Sequence, residues 1–173
     1  SLETTICLNR KLNRKLVMHG QAFLISNDIH AEPVTSKSKY IIGMQLLNVA
    51  KDVVTIYSVY IPCRQAHWGS RKEALQDLKQ ITKSMKKDEK VIIQGDFNMG
   101  RRDITNLVSE LNSNNTIKLK KINNQSGKSG YTFIRKNVKK SELDHMLIAN
   151  LNGDAKVQDN YQNIADHLSL IHI

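Results

Sequence analysis

Apolar side chains recur along the chain with two different periods, and these sort the sequence into strands and helices. Short apolar and β-branched runs occupy Gln21 to Ser26, Tyr40 to Leu47, Val53 to Ile61, Val91 to Gln94, Tyr131 to Ile134, Leu143 to Ala149 and Leu168 to Ile173. Each has the length and the polar or turn-forming borders of a strand. A helical period takes over after Ser70, placing Ala74, Leu75, Leu78, Ile81 and Met85 on one face. Ser70 and Glu73 have the S-x-x-E spacing of a capping box, in which each side chain satisfies the other's backbone N–H, so this helix is predicted to open at Ser70. Ile104, Leu107, Val108 and Leu111 form a second, shorter stripe that ends in the Asn-rich segment from Asn112 to Asn115.

Strands outnumber helices, and several lie close enough in sequence to pair antiparallel. This order predicts an α/β sandwich in preference to a strictly alternating, doubly wound sheet. No repeat, low-complexity tract or Pro-rich linker divides the chain, and Pro33 and Pro62 fall at strand edges. The length of 173 residues suits one domain with a sizeable core, spanning 1–173. The strongest apolar stretch, Val53 to Cys63, is interrupted by Thr55, Tyr57, Ser58 and Tyr60 and falls short of the ~20 residues that span a bilayer. No membrane partner is expected, and no basic and apolar leader opens the chain at Ser1.

Charge narrows the choice of partner. Lys and Arg number 26 against 16 Asp and Glu, a formal charge of +10 with a pI near 9.6. Such a surface favours an anionic partner such as nucleic acid, an acidic membrane or a phosphate ester, although a merely solvated basic surface has the same composition. Cys7 and Cys63 match neither a disulfide framework nor a zinc spacing and read as reduced, core-filling thiols of an intracellular protein.

The segment Val91-Ile92-Ile93-Gln94-Gly95-Asp96-Phe97-Asn98 is the most informative. A buried strand ends in a Gly that lets the chain bend, and two short polar side chains follow. If extended geometry persists, the spacing of two puts Asp96 and Asn98 on one side, where one can manage a proton while the other donates to a phosphate oxygen. An ordinary Asp/Asn turn is the plainer alternative. Near the C-terminus, Asp144-His145 begins a strand and Asp166-His167 precedes the last one. A carboxylate beside an imidazole fixes its tautomer and raises its affinity for a proton, an arrangement suited to phosphate contact or proton handling. His145 is read as a satisfied surface or core histidine.

The ordered series Leu2-Glu3-Thr4, Val59-Tyr60-Ile61-Pro62, Gly95-Asp96-Phe97-Asn98, Tyr131-Thr132-Phe133, Ser141-Glu142-Leu143-Asp144-His145 and Ala165-Asp166-His167 resembles the endonuclease/exonuclease/phosphatase superfamily over nearly the whole chain. The Tyr-Thr-Phe segment, followed by a basic turn and Ser-x-Leu-Asp-His, looks like the endonuclease domain of LINE-type retrotransposons, relatives of apurinic/apyrimidinic endonucleases. The resemblance implies a four-layer α-β-β-α sandwich. It also implies that a strand carrying an Asn precedes the Glu motif, so that the N-terminal strand is missing from this chain and the domain is incomplete there.

The resemblance carries roles to individual positions. Glu3 and Asp166 would bind the divalent metal, usually magnesium and otherwise manganese. Tyr60 would approach the scissile phosphate, with a buried strand-end Tyr as its plainer alternative. Asp96 would orient or deprotonate the attacking water, and Asn98 would hydrogen-bond the phosphate. His167 would contact a non-bridging oxygen with Asp144 holding its ring, and Thr132 would lie near this network. Arg135, Lys136, Lys139 and Lys140, on the basic turn, would contact substrate phosphates. Leu2 stands where the family usually has Gln, and Ala165 where it usually has Ser.

The implied activity is nicking of DNA to a 3′-hydroxyl and a 5′-phosphate, with nuclear access and a reverse transcriptase downstream in the full-length protein. A phosphatase or phosphodiesterase of the same fold acting on lipid or small phosphate esters is one alternative. A decayed element that binds nucleic acid without cutting it is another.

Overall fold

The structure is a computed structural model that describes residues 21–23, 25, 28–49, 52–64, 68–122, 132–135 and 139–152. In chain order its elements are β1 (His30–Val34), β2 (Ile41–Val49), β3 (Asp52–Tyr60), α1 (Trp68–Ser84), β4 (Lys90–Asp96), α2 (Arg101–Asn114), β5 (Lys120–Ile122), β6 (Phe133–Arg135), β7 (Lys139–Ser141) and β8 (Asp144–Ala149). Six strands form one mixed sheet in the order β1-β2-β3-β4-β8-β5, and β6 and β7 form a separate antiparallel ribbon. The sheet is parallel only between β3 and β4. Parallel neighbours need a crossover, and α1 supplies it.

The amphipathic stripes decide where the helices lie. Ala74 and Leu78 of α1, and Ile104, Leu107 and Leu111 of α2, are buried against Tyr57, Val59, Val91, Ile93 and Leu147 of the sheet. The opposite face carries Val54, Ile56, Ile92, Ile122, Met146 and Ile148, with Leu46 of β2 beside them and Phe23 and Leu151 packed against them. Because both faces are covered, β8 is buried at every position, as a central strand of near-continuous apolar sequence should be. The fold is α/β, as the pattern predicts. The described residues comprise one large sheet with helices on one face, and a second large sheet and an outer helical layer are not among them.

Several local expectations are corrected. Residues 21–23 and 25 lie outside any strand. Phe23 is half-buried and packs against the sheet face that carries Val54, Ile56 and Ile148. Helix α1 begins at Trp68, so Ser70 lies inside the helix and the capping box does not form. Tertiary partners claim Glu73 instead, which pairs with Lys39 at 2.9 Å and accepts from the Tyr40 hydroxyl at 3.2 Å. Two edge strands, β1 and β5, and the short β7 add to the strands that the apolar runs predict. Pro33 lies within β1, where an edge position tolerates its missing N–H. Leu168 to Ile173 lie outside the described residues. Among the described residues no helix is long and apolar enough to cross a membrane, and Cys63 is a free, half-buried thiol.

Candidate active site

The carboxyl ends of the parallel pair and the start of β8 bring three of the expected residues into one row. Tyr60 pairs with Asp96 in the β3–β4 register, and Asp96 pairs with Asp144 in the β4–β8 register. The ladders continue one step beyond the row, with Ile61 N–H donating to Asp96 O at 2.8 Å and Phe97 N–H to Leu143 O at 3.0 Å. The carboxyl edge of parallel strands is where open α/β sheets place their ligands, because the helices leave a crevice there. Burial, followed by the charge of Asp96, pushes the Tyr60 phenol above its ordinary value, so at neutral pH it keeps its proton and can donate.

Gly95 makes this edge possible. Its φ is +139°, and a Cβ there would stand 2.1 Å from the Val59 carbonyl oxygen. Only a residue without a side chain allows β3 to approach so closely. Beyond it the chain does not stay extended. Asn98 has φ of +47°, its backbone N–H donates to Asp96 Oδ1 at 2.8 Å, and its Nδ2 donates to Asp96 Oδ2 and to Ile61 O, both at 3.0 Å. The segment is therefore a turn whose polar residues grip each other. The expected same-side projection of Asp96 and Asn98 from a straight strand is replaced by direct contact, because Asn tolerates the left-handed region and its amide satisfies the carboxylate. Both amide protons of Asn98 are used within the protein, so a bond to phosphate must displace one of them.

Asp144 is buried at the first position of β8. Thr132, also buried, holds the approach to it: the Oγ1 accepts from the N–H groups of Leu143 at 3.0 Å and Asp144 at 2.9 Å, while Thr132 N–H donates to Ser141 O at 3.0 Å. The basic ribbon leaves from the same point, pairing Arg135 with Lys139 and Ile134 with Lys140. Lys136 lies outside the described residues, as do Glu3, Asp166 and His167. Among the described residues no cluster of three or more metal-ligating side chains occurs. Asp96 and Asp144 place hard oxygen donors of the kind magnesium prefers at one edge.

His145 is buried, which agrees with the core alternative read from the sequence, but only one of its ring nitrogens has a hydrogen-bond partner among the described residues. Its ring Nε2 lies 2.7 Å from Met99 O and its ring stands edge-on to Phe97 with centroids 5.9 Å apart. Sequence reasoning missed its neighbours. Lys121 Nζ donates to Glu142 Oε1 at 2.9 Å, and Arg101, the first residue of α2, reaches Glu142 Oε2 at 3.3 Å. Glu142 was visible inside the Ser-Glu-Leu-Asp-His segment, but nothing in the spacing of Lys121 announces that it meets that carboxylate.

The α/β sheet with its helix-covered face, and the polar row at the strand ends, agree with the fold that the motifs imply. Residues 54–171, more than half of the chain, match the model of the endonuclease-reverse transcriptase family, and the chain belongs to that family. Among solved structures it is similar to an endonuclease/exonuclease/phosphatase family protein from Leptotrichia buccalis (18% identity, TM-score 0.51, covering 73% of this chain and 49% of that one). It is also similar to beta toxin from Staphylococcus aureus (16%, 0.54, 70% and 48%) and to the human nocturnin catalytic domain (19%, 0.51, 82% and 58%). The chain spans about half the length of these structures. No curated protein matches it by sequence.

Proposed function

We propose that the chain is a magnesium-dependent phosphodiesterase that nicks DNA, in the manner of LINE-type retroelement endonucleases. The observation that carries this reading is the row formed by Tyr60, Asp96 and Asp144 at the carboxyl edge of the sheet. The family description, endonuclease-reverse transcriptase, agrees with it, and the charge of +10 favours a polyanion over small esters.

In-line attack on a phosphodiester concentrates negative charge on oxygens that already repel the nucleophile, so the site must supply positive charge and fixed donors. Magnesium, or manganese in its place, would be held by Glu3 and Asp166 and would supply Lewis-acid compensation. Asp96 takes the proton of the attacking water, and Asn98 keeps its carboxylate aimed while offering an amide proton to a phosphate oxygen. Tyr60, protonated, donates at the leaving side. Asp144 would orient His167 toward a non-bridging oxygen, and Thr132 fixes the backbone from which Asp144 projects. Arg135, Lys136, Lys139 and Lys140 hold flanking phosphates. In the full-length protein a reverse transcriptase follows, and nicking of chromosomal DNA requires nuclear access.

The test is conversion of supercoiled plasmid to open circles, with magnesium, with manganese and with chelator, alongside Asp96→Asn. Metal-dependent nicking that disappears in the variant is expected. DNA binding without cutting in any metal, or cutting confined to small phosphodiesters, would overturn the reading.

A further inference from the structure

The loop from Phe97 to Gly100 carries Asn98 in a left-handed conformation between the end of β4 and the start of α2. A backbone in that region is sparsely populated by non-glycine residues and persists only where its surroundings hold it. Asp96 and Ile61 grip Asn98 itself. The next residue is held from the neighbouring strand: Met99 O lies 2.7 Å from His145 Nε2. A carbonyl can only accept, so Nε2 carries the proton. His145 stands opposite Gly95 in the β4–β8 register, and its side chain is fully buried.

The other side of the ring is packed beside a carboxylate. Nδ1 lies 3.5 Å from Glu142 Oε1 and makes no hydrogen bond among the described residues. Glu142 is fixed by Lys121 from β5 and by Arg101 at the start of α2. Burial, and then the charge of Lys121, push the imidazole below its ordinary value, while the bond to Met99 and the carboxylates of Glu142 and Asp144 pull the other way. The balance keeps the ring neutral, and the contact with Glu142 is packing beside a carboxylate rather than an ion pair. The loop is therefore tied at Met99 by the imidazole of His145 in β8 and at Arg101 by Glu142, two residues before that strand, so the two ties flank Asp144 in sequence.

We propose that His145 is a positioning residue, whose Nε2–H holds the Met99 carbonyl and thereby fixes the turn that aims Asn98 and Asp96 at the substrate. The proposal rests on the phosphodiesterase reading for its effect on catalysis, and on geometry alone for its effect on the loop. No proton moves and no covalent bond changes at His145.

Three chains separate a hydrogen-bond role from simple filling: wild type, His145→Gln, whose amide nitrogen reaches about as far as Nε2, and His145→Met, which keeps volume and loses the donor. Two readouts are taken on the full chain, the amide hydrogen exchange of Asn98, Met99 and Gly100, and kcat and KM for nicking a short duplex. Loss of one buried hydrogen bond should speed exchange of these amides about tenfold in His145→Met and lower kcat by a similar factor. KM should stay near the wild-type value, and His145→Gln should restore both quantities. Equal loop protection in all three overturns the proposal, as does a Gln variant as impaired as the Met variant. A wild-type chain that cuts nothing while its loop responds as expected sinks the phosphodiesterase reading and leaves the positioning of the loop standing. If His145→Met fails to fold, the comparison of wild type with His145→Gln still decides, since unprotected loop amides in a folded Gln variant overturn the proposal.

Discussion

Asp96 and Asp144 are direct cross-strand partners at the end of the β4–β8 ladder, so two carboxyl groups from distant parts of the chain begin side by side. Like charges directly opposite one another on antiparallel strands weaken a sheet. Their presence at the edge where Tyr60 also ends is what the proposed phosphodiesterase site would require of the sheet. That edge also depends on the turn at Asn98, the close approach at Gly95 and the Thr132 clasp, and each can be tested.

Asp96→Asn should reduce nicking by ~10²- to 10⁴-fold through loss of the general base. It should not be silent in stability. The carboxylate accepts from both the N–H and the Nδ2 of Asn98, and an amide offers only one acceptor. A cost of about 1 to 3 kcal/mol is expected from the donor left facing a donor. Urea unfolding and plasmid nicking measure the two effects, and near-normal turnover at matched magnesium and pH would remove Asp96 from its role.

Gly95→Ala should be among the most damaging substitutions in the chain. The new Cβ would meet the Val59 carbonyl at 2.1 Å, at a φ of +139° that L side chains avoid. A backbone oxygen of a central strand cannot step aside cheaply, so destabilisation beyond about 4 kcal/mol is expected. An unfolding midpoint within error of the wild type would show that β3 and β4 can separate at this point.

Thr132→Val keeps shape and removes the oxygen that accepts from two backbone N–H groups. Leaving them without that acceptor should cost about 2 kcal/mol or more. Nicking should fall as well, since Asp144 projects from that backbone, whereas Thr132→Ser should restore most of both. If Val and Ser behave alike in calorimetry and in nicking, the hydroxyl is not what holds β8 in place.

Stability should decline on the acid side in two stages. His145 has its folded value below the ordinary 6.5, chiefly through burial. The unfolded chain therefore binds the proton more readily, and the contribution of this group is complete above about pH 6.5 and is lost as pH falls through the lowered folded value. At Glu142 burial pushes the carboxyl up, but the hydrogen bond and charge of Lys121, with His145 and Arg101, outweigh it and leave the group below its ordinary 4.5. Its share is complete above about pH 4.5 and is lost below that. His145→Gln should flatten the upper stage and spare the lower one. Melting temperature against pH checks this, and an unchanged upper stage in the variant would assign it to another group.

Neutralising Arg135, Lys136, Lys139 and Lys140 should weaken duplex binding at every sequence tested. It should also reduce the slope of log affinity against log salt by ~0.9 for each phosphate that the ribbon no longer neutralises. An unchanged slope would mean that the ribbon tip is only solvated.

The α/β class, the strands β2, β3, β4 and β8, and both helices were legible in the sequence, because burial imposes a period on the residues that line a core. Ile104, Leu107 and Leu111 had to share a stripe, and Ile92 and Ile93 had to be apolar whatever lay beside them. The identities of Tyr60, Asp96 and Asp144 were legible too, as members of ordered motifs. Only the tertiary structure put these three in one row, since strand order and register depend on pairings between segments far apart in the chain. It alone showed β1 and β5, whose polar and basic residues suit exposed edges and carry no period. The start of α1 at Trp68 was likewise beyond the sequence, because Glu73 is taken by Lys39 and Tyr40, which lie just before β2 and far from it in the chain. The same holds for the loop that carries Asn98. Its residues were named by the motif, but its conformation is fixed by Ile61 just past β3, Asp96 of β4 and His145 of β8, and no local pattern encodes where three strands meet.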